Sequence, residues 1–101
     1  MPAYIIVFME VTDWERYADY TQATPSVVAQ FGGRFLVRGG EIATLEGAEE
    51  KRRVVVLEFP SLDLARAFYQ SAEYQRAKRL RSGAAVGTFL LVEGHKPPSM
   101  L

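Results

Sequence analysis

Apolar residues crowd the first segment of the chain on both parities. Between Ala3 and Val11, Ala3, Ile5, Val7, Met9 and Val11 point one way along an extended backbone, and Tyr4, Ile6 and Phe8 point the other. A strand that is apolar on both faces needs cover on both. Thr12-Asp13-Trp14-Glu15 follows, a Thr three residues ahead of a Glu, which is the spacing of a capping box and predicts a helix start. Trp14, Tyr17, Thr21, Thr24, Val28 and Phe31 recur at steps of three and four, the stripe this helix is expected to bury. Pro25 interrupts it without an amide to donate, and predicts a kink or a restart capped by Thr24, before Gly32-Gly33 closes the helix.

Arg34 to Arg38 reads as a second strand, with a bulge expected at Gly39-Gly40 and a continuation through Glu41 to Glu46. Gly47 to Lys51 is the expected turn, and the β-branched run from Arg52 to Phe59 returns as a hairpin partner. Ser61 is placed to cap a second helix, with Asp63 in its first turn and Leu64, Ala65, Phe68 and Ala72 facing inward. Ser71 re-caps a further turn carrying Tyr74, Ala77 and Leu80, and Ala84 to Glu93 forms a last apolar strand. Residues 1–94 thus make one domain, and 95–101 a tail.

The resulting order, β-α-β-β-α-β, predicts an α+β fold of ferredoxin-like type: a four-stranded antiparallel sheet with both helices on one face. The other face carries either Tyr4, Ile6 and Phe8 or Ile5, Val7 and Met9, an apolar patch too large to leave in water. A homodimer through the sheet face is expected, with a pocket where the two sheets do not fully meet.

Composition narrows the chemistry. Of 101 residues 49% are hydrophobic, enough for one core, and twelve basic residues balance twelve acidic ones. Zero net charge removes the long-range field that would draw the chain to nucleic acid or anionic lipid. RNA-recognition domains share the element order but need rings on the third strand, where this chain has Val54 and Val56. No nucleic-acid partner is expected. The absence of cysteine excludes thiolate nucleophiles and thiolate metal sites, and fits a cytoplasmic protein. The N-terminus lacks a basic region and a cleavage site and reaches Glu10 too early for a membrane span, so a soluble protein is expected.

Phe31-Gly32-Gly33-Arg34-Phe35-Leu36-Val37-Arg38-Gly39-Gly40, then Val55 to Ser61, Phe68 to Gln75 and Phe89 to Gly94, together resemble the domain of unknown function 1330 family over nearly the whole chain. That family belongs to the dimeric α/β-barrel superfamily, so the resemblance implies a ferredoxin-like fold paired as a dimeric barrel. It implies no established activity. The chain departs from the family at Ala72, where Pro is frequent, which bears on the local helix geometry.

Glu10, Arg38 and Glu58 are charged residues at the ends of otherwise apolar strands, and are the catalytic candidates: a buried Glu gains a raised pKa suited to proton transfer. Their alternative role is strand-end solvation or a structural ion pair. Tyr4, Ile6, Phe8, Tyr17 and Tyr69 are the candidate contacts for a small apolar or aromatic ligand. Trp14 is expected in the core or a dimer contact. His95, the only histidine, lies beyond the last strand and reads as a solvated residue; no metal site or cofactor is expected. Arg76, Lys78, Arg79 and Arg81 cluster at a helix C-terminus, where cations complement the helix dipole. The glycine pairs match no phosphate-binding loop. Two functions remain: a cofactor-independent enzyme of monooxygenase or isomerase type, by fold analogy with superfamily relatives, and a non-catalytic ligand-binding or stress-related dimer.

Overall fold

Strands β1 (Ala3–Val11), β2 (Arg34–Arg38), β3 (Arg53–Phe59) and β4 (Ala85–Glu93) form one antiparallel sheet in the order β2-β3-β1-β4. The computed structural model describes residues 1–95. Helices α1 (Trp14–Gln30), α2 (Leu62–Gln70) and α3 (Ala72–Arg79) complete the ferredoxin-like α+β fold. The doubly apolar β1 holds a central place, where both of its edges are paired, Ile6 lying opposite Val56 on one side and Leu90 on the other.

The core lies between one sheet face and the helices. Ile5, Val7, Met9, Val55, Leu57 and Phe59 supply the sheet side, and Tyr17, Tyr20, Val28, Ala65, Phe68 and Tyr74 the helix side. Phe68 is its pivot, with ring centroids 5.0 Å from Phe59 and 4.9 Å from Tyr74. Tyr4, Ile6 and Phe8 therefore occupy the helix-free face, joined there by Val56, Val86, Leu90 and Val92. Val86 is 76% exposed.

Several local expectations are corrected. Asp13, not Thr12, caps α1: its Oδ1 accepts from the Arg16 amide at 3.1 Å, while the Thr12 hydroxyl donates to the Ala84 carbonyl. Helix α1 runs unbroken through Pro25, with no restart at Thr24. Trp14 is 59% exposed and lies outside the core of the chain, one of the two places expected for it, because the stripe that faces the sheet is Tyr17, Tyr20, Thr24, Val27 and Val28. Strand β2 stops at Arg38, and its bulge falls between Phe35 and Val37 rather than at Gly39-Gly40. The expected continuation to Glu46 does not form; residues 39–49 are exposed, and a hydrogen bond from the Glu50 amide to Thr44 Oγ1 closes the tip of the loop.

Ser61 and Ser71 both cap as expected, their hydroxyls accepting from the Leu64 and Tyr74 amides at 3.1 and 3.0 Å. The extended backbone of Ser71 separates α2 from α3, so the second helical segment restarts at Ala72 without a proline. Leu64 and Ala72 lie outside the buried stripe, which is Ala65 and Phe68 in α2 and Tyr74 and Ala77 in α3. His95 is exposed, and the remainder of the expected tail lies outside the described residues. Among the described residues no helix is long and apolar enough to cross a membrane.

Candidate ligand-binding site

The three charged candidates do not meet within the chain. Glu58 faces Tyr4 across the helix-free side of the sheet, and its carboxylate is fully engaged: Arg34 Nε donates to Oε1 at 2.7 Å and the Tyr4 hydroxyl to Oε2 at 3.1 Å. The Arg34 guanidinium, helped by the Tyr4 hydrogen bond, holds the Glu58 carboxyl below the ordinary carboxylate range, the direction opposite to that of a general acid near neutrality. Donating to that carboxylate raises the Tyr4 phenol in turn. A hollow of about 180 Å³ lies beside this trio, lined by Pro2, Gly32, Arg34, Glu58, Phe59 and Pro60. Glu10 stands near the other end of β1, opposite Val86.

Arg38 leaves the group altogether. Arg34 pairs with Glu58 and Val37 with Val56 on the helix-free face, but the bulge at Leu36 shifts parity, so Arg38 pairs with Val55 and turns to the helix side. There its Nη2 donates to the Thr21 carbonyl at 2.7 Å and its guanidinium lies 4.2 Å from the Phe35 ring centroid. Tyr17 is buried on the same side, next to Arg53 and close to a cavity of about 30 Å³, the size of a single water.

The space large enough for an organic molecule is elsewhere. Because β4 is an edge strand and the helices stop short of its outer side, a groove of about 820 Å³ opens between α2, α3 and β4. That volume is in the range of small-molecule sites. Phe89 and Gly87 form part of its floor, Tyr69 and Gln75 its helix walls, and Val86 and Leu90 its rim toward the helix-free face. An added Cβ at Gly87 would come within 2.8 Å of the Phe89 ring, so a larger residue would displace the floor. Tyr69 stacks obliquely on Phe89 at 5.6 Å, and its hydroxyl accepts from Lys78 Nζ at 3.2 Å.

Arg81 is the residue that sequence reasoning assigned elsewhere. It lies beyond the end of α3, with its amide on the Lys78 carbonyl, and is only 7% exposed. A dipole-complementing cation at a solvated helix end would sit in water; this one is sandwiched between the Tyr20 and Phe89 rings at 5.2 and 5.3 Å. The signal was present in the spacing: Tyr74, Ala77 and Arg81 continue the buried three-four stripe, and it is Leu80, expected inside, that is exposed. Beneath Arg81 the Tyr20 and Tyr74 hydroxyls share a buried hydrogen bond of 2.8 Å, and burial pushes the Tyr20 phenol well up.

A family model described as a domain of unknown function, DUF1330, matches residues 2–95. The chain belongs to this family. No curated protein matches it. Among solved structures, a protein of unknown function from Rhodopseudomonas palustris is similar at 23% identity, with a TM-score of 0.75 over 95% of this chain and 84% of that one. A dimeric ferredoxin-like protein of unknown function from Jannaschia sp. CCS1 superposes at a TM-score of 0.60, with 14% identity over 89% of this chain and 98% of that one. A Caulobacter crescentus CB15 protein, provisionally named an antibiotic biosynthesis monooxygenase, gives 0.59 with 13% identity over 94% of this chain and 91% of that one. At these identities the likeness is one of fold, and the family carries no assigned reaction.

Proposed function

We propose that this family member is a homodimer that binds a small, largely apolar molecule in the groove between α2, α3 and β4. The observation that carries the reading is the apolar helix-free face. Ile6, Phe8, Val56, Val86, Leu90 and Val92 line it, and a second copy laid sheet against sheet would remove them from water, at roughly 25 cal/mol for each Å² buried. Val86 and Leu90 belong to both the face and the groove rim, so the partner would also close the outer side of the binding space. The description of similar folds as dimeric supports the pairing.

In this reading Tyr69 contacts the ligand, Tyr4, Ile6 and Phe8 lie in or beside the dimer contact, and Glu58 and Arg38 hold the fold. A catalytic reading, a cofactor-independent enzyme of monooxygenase or isomerase type, draws on one observation in the groove: Tyr69, held by Lys78, is a hydroxyl placed to hydrogen-bond or exchange a proton with a bound substrate. Glu58 is less suited, since both its oxygens are committed to partners.

A thermal-shift screen of small aromatic and aliphatic compounds, followed by product analysis of every hit, tests the reading. Hits that stabilise the protein, and that lose about tenfold or more in affinity in Tyr69→Ala, are expected. Stabilisation without product identifies a binding protein, and turnover an enzyme. Hits indifferent to Tyr69→Ala would move the site away from the groove.

A further inference from the structure

Charge is segregated in a chain that has none to spare overall. The groove is lined by Arg66, Lys78, Arg79 and Arg81 and by no aspartate or glutamate, although the whole sequence balances its acids and bases. Three of these cations lie where water can reach them in part. Arg81 is reached far less: it is only 7% exposed, its Nε is sealed from water with no hydrogen-bond partner, and its polar protein contact is a 3.4 Å bond from Nη2 to the Tyr74 hydroxyl. Among the described residues no carboxylate lies within ion-pair distance of it; the two ion pairs are Arg34–Glu58 and Arg52–Glu50.

A guanidinium does not lose its charge at any ordinary pH, so burial cannot be relieved by deprotonation. Faces of Tyr20 and Phe89 compensate part of the desolvation, but ring faces offer no acceptor to the N–H groups at the guanidinium edge. What the site lacks is an anion. On the reading that the groove takes a small molecule, we propose that the molecule is an organic anion, with a carboxylate or phosphoryl headgroup that pairs with Arg81 and a flat apolar body resting on Tyr69 and Phe89. Lys78 and Arg79 at the mouth raise the local concentration of such an ion, and Arg81 selects it. The apolar body explains the aromatic floor; the headgroup explains why this buried cation has no acid of its own.

Titration calorimetry with three probes of one shape tests this: 2-naphthoate, 2-naphthyl phosphate and the uncharged 2-naphthamide. The preferred anion is expected to bind roughly 30-fold or more tightly than the amide, and Arg81→Gln to erase that preference while leaving amide binding in place. The anion that binds more tightly names the headgroup. Should Arg81→Gln fail to fold, the wild-type ratio still decides, together with the ¹⁵N resonance of Arg81 Nε, which is expected to shift on saturation with the anion and not with the amide. Equal affinities for anion and amide, or an unmoved Nε resonance, would overturn the proposal while leaving the groove as a binding site. Failure of all three probes to bind would remove the groove itself.

Discussion

The guanidinium of Arg38 donates to the carbonyl of Thr21 at 2.7 Å, and Thr21 is the residue four before Pro25. In an uninterrupted helix the amide of residue 25 would take that carbonyl; proline has no amide to give. Arg38 thus fills a vacancy that Pro25 creates, which is why α1 continues across a residue expected to break it. Arg38→Gln should cost about 0.5–1.5 kcal/mol in chemical denaturation. In a Pro25→Ala background, where the helix can satisfy itself, the same change should cost less by about 0.5 kcal/mol or more. Equal costs in both backgrounds would separate the two residues.

Gly39 and Gly40 are neighbours with different obligations. Gly39 adopts φ +73°, and a Cβ there would collide with the Arg53 guanidinium, which lies over Trp14 and Tyr17. Gly40 has open space around it. Gly39→Ala should destabilise by about 1–2 kcal/mol or more, from the left-handed backbone alone. Gly40→Ala should stay within about 0.5 kcal/mol of the parent. Thermal or urea unfolding of the two variants side by side reads the contrast.

Acid should loosen two carboxylate contacts, those of Glu58 and Glu50. Arg34 and Tyr4 depress the folded pKa of Glu58, and the forked contact with Arg52, Nε to Oε2 at 2.9 Å and Nη2 to Oε1 at 3.0 Å, brings Glu50 down to about 2. A depressed folded pKa stabilises above the unfolded value, about 4.3 for Glu, and that contribution fades as pH falls through the folded value. Carboxyl ¹³C titration should place the Glu50 midpoint near 2 and return it toward the ordinary range in Arg52→Gln. Arg34→Gln should raise the Glu58 midpoint likewise. Unmoved midpoints would deny the pairings.

The alternation along β1 and the Ser61 and Ser71 caps were legible because each depends on residues close in the chain. The position of Arg38 was not. By simple parity Arg34, Leu36 and Arg38 share a face, which would have put Arg38 on the side of Glu58; the bulge at Leu36 reverses this, and no glycine marks it. Parity put Glu10 with Tyr4, Ile6 and Phe8, and Glu58 with Val54 and Val56, but only the pairing register, set by contacts between distant strands, puts both sets on the helix-free face with Glu10 and Glu58 near opposite ends of β1. Arg81 was hidden by its type: a charged residue continuing a buried stripe reads as surface until the aromatic rings that shelter it are seen together.

Sedimentation of the purified protein at micromolar concentration addresses the central claim, that the apolar sheet face built by Ile6, Phe8, Val56 and Leu90 is covered by a second copy. The account predicts twice the mass of the chain, and a shift to the single mass in Ile6→Asp. A stable, folded, solitary chain in the parent protein would contradict it.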